Sequence, residues 1–300
     1  MSHIKKIVPK EYEGRKIKEY LKEDLGLSSR LIRSASIDKR IYVNNKAVKM
    51  NYILKGEENI LIDLMKEESQ NIDPENIPID IVYEDEDIVV VNKSPNMVVH
   101  PTKRHQSGTL ANALMYYFKE SNQKCIVRLV SRLDMDTSGL YIGKSIVPSL
   151  SFICPWTTAR YLFSILFSLI SLESSIWAYW FLPIIISPEE EGTIRRVIDE
   201  RGQRSITHYK VVERFKDSDL VECLLETGRT HQIRVHLSSL GHPIWGDTLY
   251  GFEEDSEIIK RQALHAYGLD FKSPRTKKEL SLRADLPEDI GVLIETIRME

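Results

Sequence analysis

Apolar positions change their spacing along the chain, and the changes divide it. In Arg15–Leu25 (RKIKEYLKEDL), Ile17, Leu21 and Leu25 recur at helical intervals, which predicts a helix. Ser28 and Ser29 then offer an N-cap for a second helix, SSRLIRSASID, with Arg30 and Arg33 one turn apart. Ile41–Val43 and Val48 flank Asn44-Asn45-Lys46, a sequence suited to a tight hairpin turn, and NILIDL has strand character. Residues 10–70 therefore predict a small unit of two helices and a hairpin. Residues 71–80 follow as a linker, within the acidic, Asn-containing and twice Pro-interrupted EESQNIDPENIPID. From 81 to 300 the pattern is β-rich. IDIVYEDEDIVVVNKS holds two apolar runs around an acidic turn. GTLANALMYYF is an amphipathic helix with Leu110, Ala113 or Leu114, and Tyr117 on one face. Strand-like runs recur at CIVRLV, GLYIG, THYKVVERF, LVECLLET and IRVHL. Many strands with few helices between them predict an α+β fold with a mixed, mostly antiparallel sheet. No internal repeat is visible.

Composition adds one asymmetry. The 300 residues carry a net charge of −3, which excludes a uniformly basic nucleic-acid binder. Yet residues 1–66 hold 15 Lys and Arg against 9 Asp and Glu, so a basic module sits on an acidic body and suggests polyanion binding. The three cysteines, Cys125, Cys154 and Cys223, are odd in number and far apart. They form neither a disulfide framework nor a zinc site, and a reducing cytoplasm fits them best. The first residues, MSHIKKIVPKEYEGRKIKEYL, contain no apolar signal core, so secretion is not expected.

Two stretches carry chemistry. In VSRLDMDTSGLYIG (Val130–Gly143), Asp134 follows Arg132 and precedes Thr137-Ser138-Gly139. Either the polar residues simply bond their own turn, or a tight turn exposes the acid. In LLETGRTHQIRVHLSSLGHPIWGDTLYG (Leu224–Gly251), Arg229, His231, Gln232, Arg234 and His236 fall within eight residues. Alternation there reads as a strand, with Arg234 and His236 opposite Ile233 and Val235. An arginine on an interior face needs a carboxylate or phosphate, whereas on a surface strand it needs none.

Together these stretches resemble the RluA-type RNA pseudouridine synthases. The family hallmark HRLDxxTSG is matched at Ser131–Gly139 except at its first position. GRTHQIRVH is matched at Gly228–His236, and GxPIxGDxxYG at Gly241–Gly251. VVNKSPNMVVHPT (Val90–Thr102), GTLANAL and RQALHAYGLDF (Arg261–Phe271) also resemble family segments, and the N-terminal module is similar to an S4 RNA-binding domain. The resemblance implies isomerisation of uridine to pseudouridine in RNA, ribosomal first and transfer RNA second, with no cofactor and no metal. It makes Asp134 the nucleophile or the base. A lone carboxylate in a closed pocket needs a cation to stay ionised, and Arg234 is the candidate. Arg132 would help extrude the target base, with Arg229 and His231 on the substrate RNA. Arg15, Lys16, Arg30, Arg33, Lys39 and Arg40 of the S4-like domain would meet phosphates. The expected protein is a cytoplasmic monomer without a membrane partner. A glycosidase using Asp134 and Asp136 fits poorly, since residues i and i+2 of a strand face opposite ways. His100, His231 and His236 lack metal-ligand spacing and are expected to make structural hydrogen bonds.

The family also places a tyrosine in a basic K-x-Y stretch roughly thirty residues after its aspartate. Here that region is the apolar block 146–186, with two charges, Arg160 and Glu173, three of the four tryptophans and no K-x-Y. Tyr161 comes slightly early and in another context. A membrane hairpin is disfavoured because Pro155 and Pro183 interrupt the apolar runs. A divergent core segment or insertion, and a stretch translated out of frame between compensating shifts, both remain open, with Leu182-Pro183-Ile184 marking where the family pattern resumes. On either reading the chain is expected to be weakly active or inactive, and the alternative function is an RNA-binding protein that has lost catalysis.

Overall fold

The computed structural model describes residues 3–27, 29–63, 72–85, 88–102, 105–123, 127–129, 132–144, 160–168, 178–189, 192–273, 276 and 278–299. Two compact units divide the chain, the first built on Met1–Ser69 and the second on Gln70–Ser145 and Trp156–Glu300.

The first unit packs helices α1 (Ile17–Glu23) and α2 (Ser29–Ile37) on a four-stranded sheet. The sheet comprises β1 (His3–Ile7), β2 (Ile41–Val43), β3 (Lys46–Ala47) and β4 (Asn59–Asp63), in the order β1-β4-β2-β3. Ile17, Tyr20 and Leu21 of α1 and Leu31, Ile32 and Ala35 of α2 are buried in one core with Ile41, Ile60 and Ile62 of the sheet. Asn44 and Asn45 both have positive φ (48° and 65°), the backbone a two-residue hairpin requires and asparagine tolerates. Strand β1 lies outside the predicted boundary. HIKKI covers the edge of the sheet with almost no buried position, so no alternation announces it.

In the second unit, residues 72–75 are held at the start of helix α3 (Leu110–Glu120). Ile72 is buried, the Asp73 carbonyl accepts from Asn112 Nδ2 at 2.8 Å, and Glu75 accepts from the Gly108 N–H at 3.0 Å. Thr109 and Asn112 form a capping box at the start of α3, whose Leu110, Ala111, Leu114 and Phe118 are buried.

The main sheet is made of β5 (Asp80–Glu84), β6 (Ile88–Lys93), β7 (Arg128–Leu129), β8 (Ser138–Lys144), β9 (Arg160–Ser168), β10 (Ala178–Phe181), β13 (Ile206–Arg214), β14 (Ser218–Leu225), β15 (Leu264–Lys272) and β16 (Glu279–Arg283). A separate pair joins β11 (Ile184–Ile186) to β12 (Arg196–Ile198). The sheet order is β10-β13-β14-β9-β15-β8-β6-β5, with β16 on β15 and β7 on β8. Among the described strands, only β8 and β15 pair in parallel. Helices α4 (Gln232–Ser239) and α5 (Glu288–Met299) complete the unit, and Ile233, Leu237, Ile290, Leu293 and Ile294 pack with the sheet in its core. The architecture is thus mixed α+β with a predominantly antiparallel sheet.

Two features differ from the pattern read in the sequence. The run IRVHL is not a strand. It lies in α4, where Gln232 through Leu237 are all buried. A helix buried on every side has no polar stripe, and its alternating large side chains imitate a strand. The second feature is the apolar block. Its described residues supply β9, seated between β14 and β15, and the edge strand β10 on β13. Trp180 stacks on Tyr209 at 4.1 Å between ring centroids, and Ile184 is buried beside Val235 and Tyr250. Among the described residues, no helix is long and apolar enough to cross a membrane.

Candidate active site

Asp134 sits in a turn between β7 and β8 that is fixed mostly through its backbone. The Thr137 N–H donates to the Asp134 carbonyl at 3.2 Å. Lys93, buried at the end of β6, donates from Nζ to the carbonyls of Met135 (2.8 Å), Ser94 (2.8 Å) and Met97 (3.0 Å). Burial pushes the Lys93 ammonium down to about 7, against the pull of Asp136 and Asp134. From the far side Arg261 donates to the Asp136 carbonyl at 3.1 Å, and Gln262 to Thr137 Oγ1 at 3.2 Å. Gly139 follows with φ +111°, and a Cβ there would stand 2.4 Å from the Ala266 carbonyl oxygen. Only glycine allows β15 to lie this close.

Helix α4 brings Arg234 to the carboxylate. Its Nη1 donates to Asp134 Oδ2 at 2.9 Å, while Nε and Nη2 donate at 2.7 Å each to the two oxygens of Asp247. Asp247 is fully buried, and its Oδ1 also accepts from the N–H groups of Leu249 and Tyr250. Burial opposes the guanidinium charge, but the Asp247 and Asp134 carboxylates outweigh it and raise the Arg234 pKa. The result is a fixed cation clamped on one side and offering one N–H to Asp134 on the other.

His231 precedes α4 in the left-handed region (φ 55°). Its Nε2 stands 4.0 Å from Asp134 Oδ2, and its Nδ1 is 2.9 Å from the Tyr250 hydroxyl. That hydroxyl accepts the Arg196 N–H at 2.8 Å. Burial lowers the His231 pKa, with Arg234 and Arg196 assisting and Asp134 opposing. Gln232 ties the same turn to β13 through Thr207 Oγ1 and the Ile206 carbonyl. All five residues expected to meet the substrate, Arg132, Asp134, Arg229, His231 and Arg234, line one pocket with Leu133, Thr137, Leu225, Gln232, Ile233 and Leu264. Arg132 and Arg229 are exposed. Lys93, Asp247, Tyr250 and Arg261 were not singled out from the sequence, although each lies inside a quoted motif. Their burial, not their chemistry, makes them necessary, and burial is what a motif string does not print.

No aromatic side chain among the described residues lines this pocket. The side chains of 160–168, Tyr161 included, lie outside the described residues. His236 donates from Nε2 to the Leu182 carbonyl at 2.9 Å. Among the described residues, no group of three or more His, Cys, Asp or Glu is arranged to hold a metal ion.

In the first unit the expected phosphate ligands separate. Lys16, Arg33 and Lys39 are exposed. Arg15 is half-buried, bonded to Glu19 at 3.2 Å and Glu23 at 2.7 Å. The side chain of Arg30 lies outside the described residues. Arg40 is a correction. It is buried, and it donates to the Asp63 carbonyl, Ser34 Oγ and Asp38 Oδ2, so it braces the unit and is not presented to a ligand.

The chain is similar to known proteins across most of its length. A family model described as RNA pseudouridylate synthase matches residues 158–239, a span that begins inside the apolar block and includes α4. An uncharacterized RNA pseudouridine synthase of Bacillus subtilis, YlyB, is 37% identical over 268 residues, which cover 87% of this chain and 86% of that protein. Ribosomal large subunit pseudouridine synthase D of Zymomonas mobilis is 34% identical over 255 residues, 81% of this chain and 80% of its own. Among solved structures, human RNA pseudouridylate synthase domain containing 4 superposes with a TM-score of 0.57 at 22% identity, covering 73% of this chain and 93% of that one.

Proposed function

Because this chain belongs to the RluA-type family of RNA pseudouridine synthases, we propose that it isomerises uridine to pseudouridine in ribosomal RNA, with Asp134 as the reacting carboxylate. One observation carries the assignment of Asp134: it is the pocket carboxylate held by a buried arginine that is itself neutralised by a second acid. Both described groups that approach Asp134, the Arg234 guanidinium at 2.9 Å and the His231 imidazole at 4.0 Å, do so at Oδ2. Oδ1 is thereby left to the substrate. In the reaction the N-glycosidic bond breaks, the uracil turns and its C5 joins the ribose. The ionised carboxylate acts on the sugar either as nucleophile or as base, and the Arg234 contact keeps it ionised for both. Arg132, exposed at the pocket's lip, suits the extrusion of a base from its stack. The first unit serves as an S4-like RNA reader, with Lys16, Arg33 and Lys39 offered to phosphates. The ribosomal substrate follows the name of the Zymomonas mobilis relative, and the setting is a cytoplasmic monomer.

A second reading is an RNA-binding member with impaired catalysis, favoured by the absence of a K-x-Y stretch from the apolar block 146–186 of the sequence. Tritium release from transcribed ribosomal RNA carrying C5-tritiated uridine separates the two. Release that disappears in Asp134→Asn supports the isomerase. RNA binding without release supports the second reading.

A further inference from the structure

The Tyr250 hydroxyl has one proton and two neighbours, the Arg196 N–H at 2.8 Å and His231 Nδ1 at 2.9 Å. Two neutral arrangements of His231 are possible. If Nδ1 carried the proton, the hydroxyl would accept twice, its own proton would lack a described acceptor, and the bare Nε2 would face the Asp134 carboxylate. If Nδ1 accepts from the hydroxyl, the phenol's proton has its acceptor, and the protonated Nε2 is the ring nitrogen 4.0 Å from Asp134 Oδ2. The second arrangement satisfies both the hydrogen bonds and the charges. Two further contacts hold the phenol: the Arg234 guanidinium lies 5.1 Å and the Arg195 guanidinium 5.5 Å from its ring centroid.

We propose that His231 works as a neutral N–H donor at the reacting carboxylate, that Tyr250 is the positioning residue fixing that tautomer, and that strand β12 anchors both through the Arg196 N–H. The proposal rests on the reading of Asp134 as the reacting group. It gives the β11–β12 pair a role in the active site: any shift of β12 is transmitted through one phenol to the imidazole. The charged and titratable groups around His231 are Asp134 on its turn, Arg234 on α4, Asp247 beyond α4, and Arg196 on β12. The two carboxylates favour imidazolium, the two arginines disfavour it, and burial decides for the neutral ring.

The test uses the full chain labelled with nitrogen-15 histidine. Nitrogen shifts read the tautomer directly, and His231→Gln identifies its signal among the eight histidines. The wild type is expected to show His231 as the Nε2–H form at neutral pH, and Tyr250→Phe a mixture. In turnover, Tyr250→Phe is expected to lose about five- to tenfold in kcat with KM little changed, the loss of one positioned hydrogen bond. That deficit should shrink only once the pH falls below the lowered His231 pKa, because imidazolium carries both protons and needs no tautomer lock. A purely structural tyrosine would give the same deficit at every pH. His231→Gln, which keeps an N–H near the Nε2 position, should retain more turnover than His231→Leu. An Nδ1–H wild type, or a Tyr250→Phe deficit that stays constant across the pH at which the nitrogen shifts show His231 gaining its second proton, overturns the proposal. Turnover that persists in Asp134→Asn instead overturns the functional reading, and the nitrogen shifts still decide the tautomer.

Discussion

Replacing Asp247 by Asn should do more damage than the removal of one charge suggests. Asp247 is fully buried and accepts both an Nε–H and an Nη2–H from Arg234 at 2.7 Å, along with two backbone N–H groups. An asparagine keeps one acceptor oxygen, so the backbone bonds of Leu249 and Tyr250 survive. Its amide N–H₂, however, meets the guanidinium donor to donor. Leaving a buried ion without its partner costs about 3–5 kcal/mol, and the remaining oxygen places Asp247→Asn near about 3. In a unit of this size, each kcal/mol lowers the melting temperature by about 2–4 °C, so the expected drop is roughly 6–12 °C. Arg234 is then free to swing wholly onto Asp134, and turnover should fall by about tenfold or more. Calorimetry supplies the first number and tritium release the second. The double variant Arg234→Met/Asp247→Asn removes the guanidinium while keeping the acceptor for Leu249 and Tyr250, and should melt above Asp247→Asn while remaining inactive. A melting temperature for Asp247→Asn within about 2 °C of wild type would refute the clamp as described.

Other outcomes follow from the same structure. Gly139→Ala should fail to fold or lose about 3 kcal/mol or more by urea titration, since its Cβ would collide with the Ala266 carbonyl at a φ of +111°. Arg40→Met should destabilise the first unit by about 2 kcal/mol with little change in RNA affinity beyond that loss. Arg33→Gln should do the reverse, weakening RNA binding and flattening its salt dependence by about one contact in a filter-binding assay. Acid should destabilise the second unit through His236 and His265, both buried and held down to about 4. Their folded values lie below the ordinary 6.5, so the unfolded chain binds protons first and stability is lost as pH falls from about 6.5 to 4. His265→Asn should flatten that loss in urea titrations across the window.

Local pattern was legible where one face of an element is buried and the other is not. Helix α1 follows this rule and forms where its spacing predicts, while the Asn44-Asn45 turn was legible from its residue types and β6, buried on both faces, from its continuous apolar run. The pattern misled at α4. Arg234 faces two carboxylates there, Val235 packs with Ile184 and Tyr250, His236 bonds Leu182, and Ile233 and Leu237 enter the main core. Four consecutive directions are all occupied, so no periodicity survives in the letters. The pairing of Arg234 with Asp134 was legible from chemistry, because a pocket carboxylate needs a cation. Asp247 and Tyr250 were not, since nothing in their type shows that one is buried beneath the arginine and the other beside the histidine. The apolar block was legible as an anomaly in charge, while its placement at β9 and β10 depends on pairing with strands far along the chain.

The central claim is that Asp134, held by Arg234, performs uridine isomerisation in RNA. Tritium release from C5-labelled ribosomal RNA by the full chain, beside Asp134→Asn at equal concentration, tests it most directly. The account expects release that is slow compared with the Zymomonas mobilis relative, accompanied by pseudouridine in the digested product, and lowered at least about a thousandfold by Asp134→Asn. Release that survives Asp134→Asn, or RNA binding with no release from the wild type, would contradict it.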